Sequence, residues 1–150
     1  MNWPRRKQGD PRILAQKTPI EIDGKIHNFP SKLEAGRYLE LKRMLDAGIV
    51  KSIELQPTYE LQPAYRKCCG LIRGAASRKK KDMLCPICGK KSPVENSLVY
   101  RPDFKVTYSD GHVEIEEVKG FEQEVWKIKR KIFEYQNPGI TLKIIKAVRR

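Results

Sequence analysis

Residues 98–120 read LVYRPDFKVTYSDGHVEIEEVKG, and the alternation of apolar and polar positions in that run decides most of the architecture. Leu98 to Tyr108 predicts a strand, Ser109-Asp110-Gly111 its turn, and His112 to Lys119 the returning strand, because alternation around an Asp-Gly pair marks a tight hairpin. Beyond Gly120 a helix is expected over about 122–135, with Val125, Ile128 and Ile132 at helical spacing. Asn137-Pro138-Gly139 stops it, and Ile140 to Lys146 returns as a strand. Strand, helix, strand is a βαβ crossover, which normally joins parallel strands with a right-handed connection.

Upstream of this run, Ser31 is placed to cap a helix that Gly48 ends. On that helix Tyr38, Leu41 and Leu45 fall within about 40° of Glu34, at 100° per residue. Ile49 to Gln56 and Thr58 to Gln62 are extended, and Pro57 and Pro63 mark a bend and an end, as on an edge strand. Ile20 to Ile26 forms a small ribbon around Asp23-Gly24. The fold class is therefore α/β, an αβββαβ order with a mixed sheet covered by helices. Residues 1–19 are read as a flexible basic arm, 20–65 and 98–150 as the core, and 66–97 as an insertion.

Charge narrows the class of partner. The 150 residues carry 31 Lys and Arg against 18 Asp and Glu, a net of +13. Most of the excess sits in two places: residues 1–17 hold five basic side chains and one acid, and residues 66–91 hold nine and one. Concentrated positive charge is the footprint of a polyanion binder, since each neutralised phosphate releases counterions, so nucleic acid is the expected partner. No apolar run approaches the roughly 18 residues that span a bilayer and the first residues lack a secretory signal, so a cytoplasmic protein with no membrane partner is expected.

Three acids and one amine carry the candidate chemistry. On the returning strand Val113, Ile115, Glu117 and Lys119 project to one side, so an apolar face ends in an acid and a base. On the outgoing strand Asp103 follows Pro102, on the side opposite Tyr100, Phe104 and Val106. One hairpin separates Asp103 from Glu117, and Glu34 lies on the apolar stripe of the first helix. Glu34, Asp103 and Glu117 can then converge beside Lys119 to hold a hard divalent ion such as Mg²⁺, which stabilises charge on a phosphoryl group. The bland alternatives are a capping box, Ser31-Lys-Leu-Glu34, and a solvated acidic edge at Glu114, Glu116 and Glu117 with Lys119 as salt-bridge partner. Spacing leaves both open. Glu117 is preferred to Glu116 because it shares a strand face with Lys119.

Pro102-Asp103, then Glu117-Val118-Lys119 after a hairpin, with a helical Glu34 upstream, resembles the PD-(D/E)xK nuclease superfamily. The nearer likeness is to a phage-encoded family within it, through Ser31 to Ala35, Gln56-Pro57, Asp103-Phe104 and Val118-Lys119-Gly120. The resemblance covers about 20–65 and 98–147. It implies a restriction-endonuclease-like core, with Glu34, Asp103 and Glu117 as ligands of Mg²⁺ or Mn²⁺ and Lys119 as catalytic lysine. It also implies hydrolysis of DNA phosphodiesters to 5′-phosphate and 3′-hydroxyl ends. Holliday-junction resolvases have a similar constellation and act as dimers, which points to a homodimer, branched DNA, and a role in phage recombination or replication. Lys127 and Lys129, one helix later, are candidate phosphate contacts, against an exposed basic helix face.

The insertion departs from that family's usual pattern. It holds all four cysteines, Cys68-Cys69-Gly70 and Cys85-Pro-Ile-Cys88-Gly89. Two thiolates three residues apart before a Gly make a zinc knuckle. The adjacent pair is less orthodox: either the backbone bends sharply so that both ligate, or only one does and His27 or His112 completes the set. A structural Zn²⁺ in a zinc-ribbon-like module is expected, with buried free thiols as the alternative. The module would present Arg73, Arg78, Lys79, Lys80 and Lys81 to the DNA backbone. The leading expectation is a metal-dependent, structure-selective DNA endonuclease; the alternative is a non-catalytic zinc-bearing DNA-binding or regulatory protein, and charge alone also admits an RNA-processing factor.

Overall fold

The computed structural model describes residues 18–22, 24–75, 79–119 and 123–146. Strands β1 (Thr18–Ile22) and β2 (Lys25–Phe29) form an antiparallel ribbon ahead of helix α1 (Lys32–Asp46). Ser31 caps α1, its hydroxyl accepting the Glu34 N–H at 3.1 Å. Gly48, at φ 72°, closes it: the Gly48 N–H reaches the Leu45 carbonyl and the Ile49 N–H the Met44 carbonyl. A left-handed residue just past the last turn is the position where Gly lacks the Cβ penalty.

Next come β3 (Val50–Leu55), β4 (Tyr59–Gln62), β5 (Tyr65–Cys68), β6 (Leu71–Gly74), the short α2 (Lys80–Met83), β7 (Val94–Glu95), β8 (Leu98–Tyr100), β9 (Phe104–Tyr108), β10 (Val113–Lys119), α3 (Glu124–Gln136) and β11 (Thr141–Lys146). The central sheet runs β11-β10-β9-β3. Its β10–β11 pair is parallel, as the crossover requires, and the other pairs are antiparallel. The protein is therefore mixed α/β with a mixed sheet, and β3 is an edge strand.

Leu98 to Tyr108 is not one strand. It breaks at Arg101-Pro102-Asp103, where the partner chain also breaks at Gln56-Pro57. Leu55 pairs with Phe104 on one side of the break and Tyr59 with Tyr100 on the other, so β3–β4 and β8–β9 form one bent ribbon. The Gln56 N–H still bonds the Asp103 carbonyl at 2.9 Å across the bend, with Gln56 at φ 47°. Proline lacks the donor a ladder needs, so a pair of prolines at facing positions interrupts the pairing there. Tyr100 is consequently not on the face of Phe104 and Val106, as an unbroken strand would have put it.

Two apolar clusters sandwich the sheet. Phe29, Ala35, Tyr38, Leu41, Val50, Phe104, Val106 and Val118 pack under α1. Leu61, Tyr100, Ile115, Trp126 and Phe133 pack under α3. Val125 and Ile128, which stand at helical spacing with Ile132, are 63% and 58% exposed. Trp126 and Phe133, seven residues and nearly two turns apart, bury a larger aromatic area on the neighbouring line and win the inward orientation.

The insertion is more regular than its composition suggests. β6, β5 and β7 make a small three-stranded sheet that starts at Tyr65, one residue before the expected boundary. Its interior is polar and sulfurous: Cys85, Ser92 and Arg66 are buried, and Arg66 Nη1 donates to the Ser92 carbonyl at 2.9 Å. Among the described residues no helix is long and apolar enough to cross a membrane. The arm at 1–17, Asp23, Arg78 and Gly120 lie outside the described residues.

Candidate functional site

Alternation along β10 sorts its acids. Glu116 points toward α1, is 0% exposed, and receives Arg37 in a two-point clamp, Nε to Oε2 at 2.7 Å and Nη2 to Oε1 at 2.6 Å. Glu117 points to the α3 side, 3% exposed, with the Tyr100 hydroxyl donating to Oε2 at 2.9 Å and Lys119 Nζ at 2.5 Å from Oε1. Glu116 is a structural ion pair, and Glu117 is the acid that shares a face with Lys119.

Asp103 occupies the bend of the ribbon. Its Oδ2 accepts the Val118 N–H at 2.7 Å, which ties it to the strand between Glu117 and Lys119. Burial pushes the Asp103 carboxyl up to about 7, against the pull of that hydrogen bond, and Glu117 and Glu34 push the same way while Lys119 opposes them. Glu34 is also raised, first by burial, with Ser31 and Lys119 opposing and Glu117 adding to the rise. Its Oε1 accepts the Ser31 hydroxyl at 3.1 Å, so the capping interaction and the inward location coexist. The four groups thus share one electrostatic environment at the end of the sheet.

Their arrangement is loose. Glu34 and Asp103 line a cavity of about 150 Å³ with His27, Phe29 and Gln56. Glu117 and Lys119 line a second cleft, of about 450 Å³, with Tyr100, Arg101, Trp126 and Lys129, and the two share no lining residue. Carboxylates held together so that their ionisation is opposed fit a hard cation, whose charge removes the opposition. Among the described residues, however, the three carboxylates do not reach the mutual closeness of the cysteine quartet.

The four cysteine sulfurs all lie within 4.8 Å of one another. Cys68 Sγ is 3.8 Å from Cys69 Sγ and 3.6 Å from Cys88 Sγ. Four sulfurs tetrahedrally placed at about 2.3 Å from zinc sit roughly 3.8 Å apart, so the quartet has the size of a Cys₄ zinc site. The adjacent pair works because Cys68 faces Leu71 across a two-residue loop, Cys69-Gly70, with φ of 51° and 75°. Positive φ at both loop residues defines the primed hairpin turn, which here folds Cys69 back beside Cys68. The backbone N–H groups of Cys88 and then Ile87 pull the Cys85 thiol down to about 6, whereas the neighbouring sulfurs, Cys88 first, push Cys68 up and Cys69 up to about 12. Neither histidine completes the set: His112 Nδ1 lies 2.6 Å from Asp110 Oδ1, and His27 packs on Phe29 and Tyr38.

The expected phosphate contacts divide. Lys79, Lys80 and Lys81 are exposed around α2. Arg73 instead spans the insertion, its Nη2 donating to the Leu84 carbonyl at 2.7 Å and to Ser92 Oγ at 3.3 Å. Lys129 lines the cleft of Glu117 and Lys119, whereas Lys127 is held by Glu124 at 2.7 Å. The reading of residues missed Tyr100, the partner of Glu117; Trp126 is a core residue, as the sequence suggests, and its ring lies 5.5 Å below Lys119 Nζ. Tyr100 was hidden by the unbroken-strand assumption. Trp126 had a signal, since a bulky aromatic in the first turn of the crossover helix packs beside the end of β10.

A family model described as a protein of unknown function (DUF1064) matches residues 14–150. No curated protein and no solved structure matches the chain.

Proposed function

Since the chain belongs to that family, whose description assigns no activity, we propose a function from the site itself: a metal-dependent DNA endonuclease of PD-(D/E)xK type on a restriction-endonuclease-like core. The observation that carries the proposal is Asp103, lifted to about 7 while bonded to the strand that presents Glu117 and Lys119. Glu34, Asp103 and Glu117 would hold Mg²⁺ or Mn²⁺. When bound, the ion supplies charge stabilisation to the phosphoryl group. Lys119, ion-paired with Glu117, would orient the attacking water and offset phosphate charge. Water adds to phosphorus and loses its proton to solvent, the P–O3′ bond breaks, the departing O3′ takes up a proton from solvent, and 5′-phosphate and 3′-hydroxyl ends would result. In this proposal the enzyme works as a homodimer on branched DNA in phage recombination or replication, in the host cytoplasm. The cysteine module, ordered by Zn²⁺, would lay Lys79, Lys80 and Lys81 on the backbone, contacts that position a substrate without reading sequence.

The assay is cleavage of single-stranded, duplex, flap and four-way-junction DNA with Mg²⁺ or Mn²⁺. Asp103→Asn and Lys119→Ala are expected to abolish cutting while DNA affinity survives; undiminished cutting by Asp103→Asn discards the site. One observation favours the alternative, a non-catalytic zinc-bearing DNA-binding protein: both Glu117 oxygens already have partners, Lys119 and Tyr100. Retained DNA binding by a wild-type protein that cuts none of the four substrates decides for it.

A further inference from the structure

Two arginines stand side by side in the insertion, away from any acid. Arg66 on β5 pairs directly with Arg73 on β6, so both side chains lie on one face of the small sheet. Arg66 is 6% exposed, and its Nε is buried with no hydrogen-bond partner among the described residues. Its Nη1 donates to the Ser92 carbonyl, while Arg73 Nη2 donates to the Leu84 carbonyl and to Ser92 Oγ. Among the described residues neither guanidinium has a carboxylate within ion-pair reach. Glu95 is close in the ladder, but it pairs with Tyr65, next to Arg66, and so projects from the other face. Like charges at directly opposed cross-strand positions repel, and a buried cation without an anion is costly.

The anion that this face lacks is supplied by its neighbours. Cys68 lies two residues along β5 from Arg66 and shares its face. The arginines also hold the Cys85–Cys88 knuckle at both ends. The Leu84 carbonyl directly precedes Cys85, and Ser92, whose N–H donates to the Met83 carbonyl at 2.8 Å, closes the loop behind Cys88. Between those points the Cys85 N–H bonds the Lys90 carbonyl at 2.7 Å, and the Gly89 N–H bonds the Cys85 carbonyl at 2.8 Å. Both cations are thus fastened to the chain that carries two of the sulfurs and share a sheet face with a third. Four thiolates around one divalent ion leave two negative charges, which match the arginine pair in number and sign.

We infer that Arg66 and Arg73 are the counter-charge of the cysteine centre, positioning residues that make the quartet a site for a divalent ion held by four ionised thiolates. Guanidinium suits that task, because it stays charged and is weakly hydrated. In the metal-free chain the same two charges repel across the β5–β6 pair, so the arrangement favours the loaded state. The inference rests on the quartet holding a metal and is independent of the nuclease reading.

The test uses the full chain and reads Zn²⁺ affinity by competition with a chromophoric chelator. Arg66→Gln and Arg73→Gln, which keep an amide donor and remove the charge, should each weaken binding about tenfold, the scale of a partner that stands behind the ligands. Arg73→Lys, which keeps the charge, should stay within about threefold of the parent, as should Lys67→Gln, which removes a charge from the exposed face of β5. A second readout separates charge from fastening: the Fe(III)/Fe(II) potential of the chain loaded with iron in place of zinc. Nearby positive charge favours the more negative, reduced centre, so both Gln variants should have a lower potential than the parent, and Arg73→Lys should not. Tetrathiolate-type Co²⁺ absorption verifies that the site is assembled in each variant; where Arg66→Gln does not assemble, Arg73→Gln decides. Parental zinc affinity, or a parental iron potential, in an assembled Gln variant overturns the counter-charge while leaving the metal site standing. A parent chain that binds no zinc overturns the metal reading itself.

Discussion

Asp103 is held where its charge is least welcome, and the direction of its titration makes that measurable. In the unfolded chain it ionises near 3.8; in the folded protein burial, Glu117 and Glu34 lift it to about 7. A carboxyl raised on folding adds stability that is whole below the unfolded value and is lost as pH rises through the folded one. With no divalent cation added, the melting temperature is therefore expected to fall between about pH 4 and pH 7, with Glu34 contributing in the same sense. Asp103→Asn should flatten that decline, which thermal denaturation at several pH values measures; an identical decline in the variant contradicts the assignment. The nearness of Asp103 to the strand of Glu117 and Lys119 was legible from sequence, because strand alternation and one hairpin bring them together, and the inward place of Glu34 followed from the apolar stripe of α1. The orientation of Tyr100 was not, since it depends on a bend at Pro57 and Pro102 whose angle no periodicity encodes.

At the scale of elements, α1 is fastened to β10 by the clamp between Arg37 and the fully buried Glu116. Removing one partner of a buried pair strands the other charge, at a cost of about 3–5 kcal/mol, but Lys143 Nζ lies 3.7 Å from Glu116 Oε1 and offsets part of that, leaving about 2–3 kcal/mol. Arg37→Met is expected to destabilise by that amount in urea titration, and Arg37→Met combined with Glu116→Met to recover most of it. A loss in the single variant under about 1 kcal/mol would mean that the clamp contributes little. α1 itself was readable to within a residue, because Ser31 and Gly48 punctuate it chemically. α3 was placed correctly, but helical spacing alone did not settle its buried face: Val125 and Ile128 lie on an exposed line, while Trp126 and Phe133 on the adjacent line bury more surface. The strands of the insertion were hidden because their order comes from sulfur geometry and a two-residue turn rather than from an apolar stripe.

Taken as a whole molecule, the chain has two sources of cohesion: apolar clusters on both faces of the central sheet, and a sulfur quartet in a region whose interior is polar. With the proposed Zn²⁺ in the quartet, a module with so little apolar interior would depend on the ion, and folding and metal binding there would be one event. Zinc removal by a chelator is expected to let residues 66–97 exchange their amide hydrogens rapidly while β10 and β11 remain protected, and mass spectrometry of the exchanged protein checks it. Equal protection of both regions after verified zinc loss would refute this dependence. The concentration of positive charge in the insertion was visible in composition, but the internal engagement of Arg73 was not, because a basic side chain facing a carbonyl and one facing solvent look alike in sequence. The two ends of the insertion also leave the core side by side, as Gln62 and Leu98 pair directly in the β4–β8 ladder. Excising 63–97 and joining the ends with a Gly-containing hairpin loop should therefore yield a compact minimal protein with its principal fold preserved. The same stem could receive a foreign cassette, making this region a natural attachment point for exchanging one small module for another.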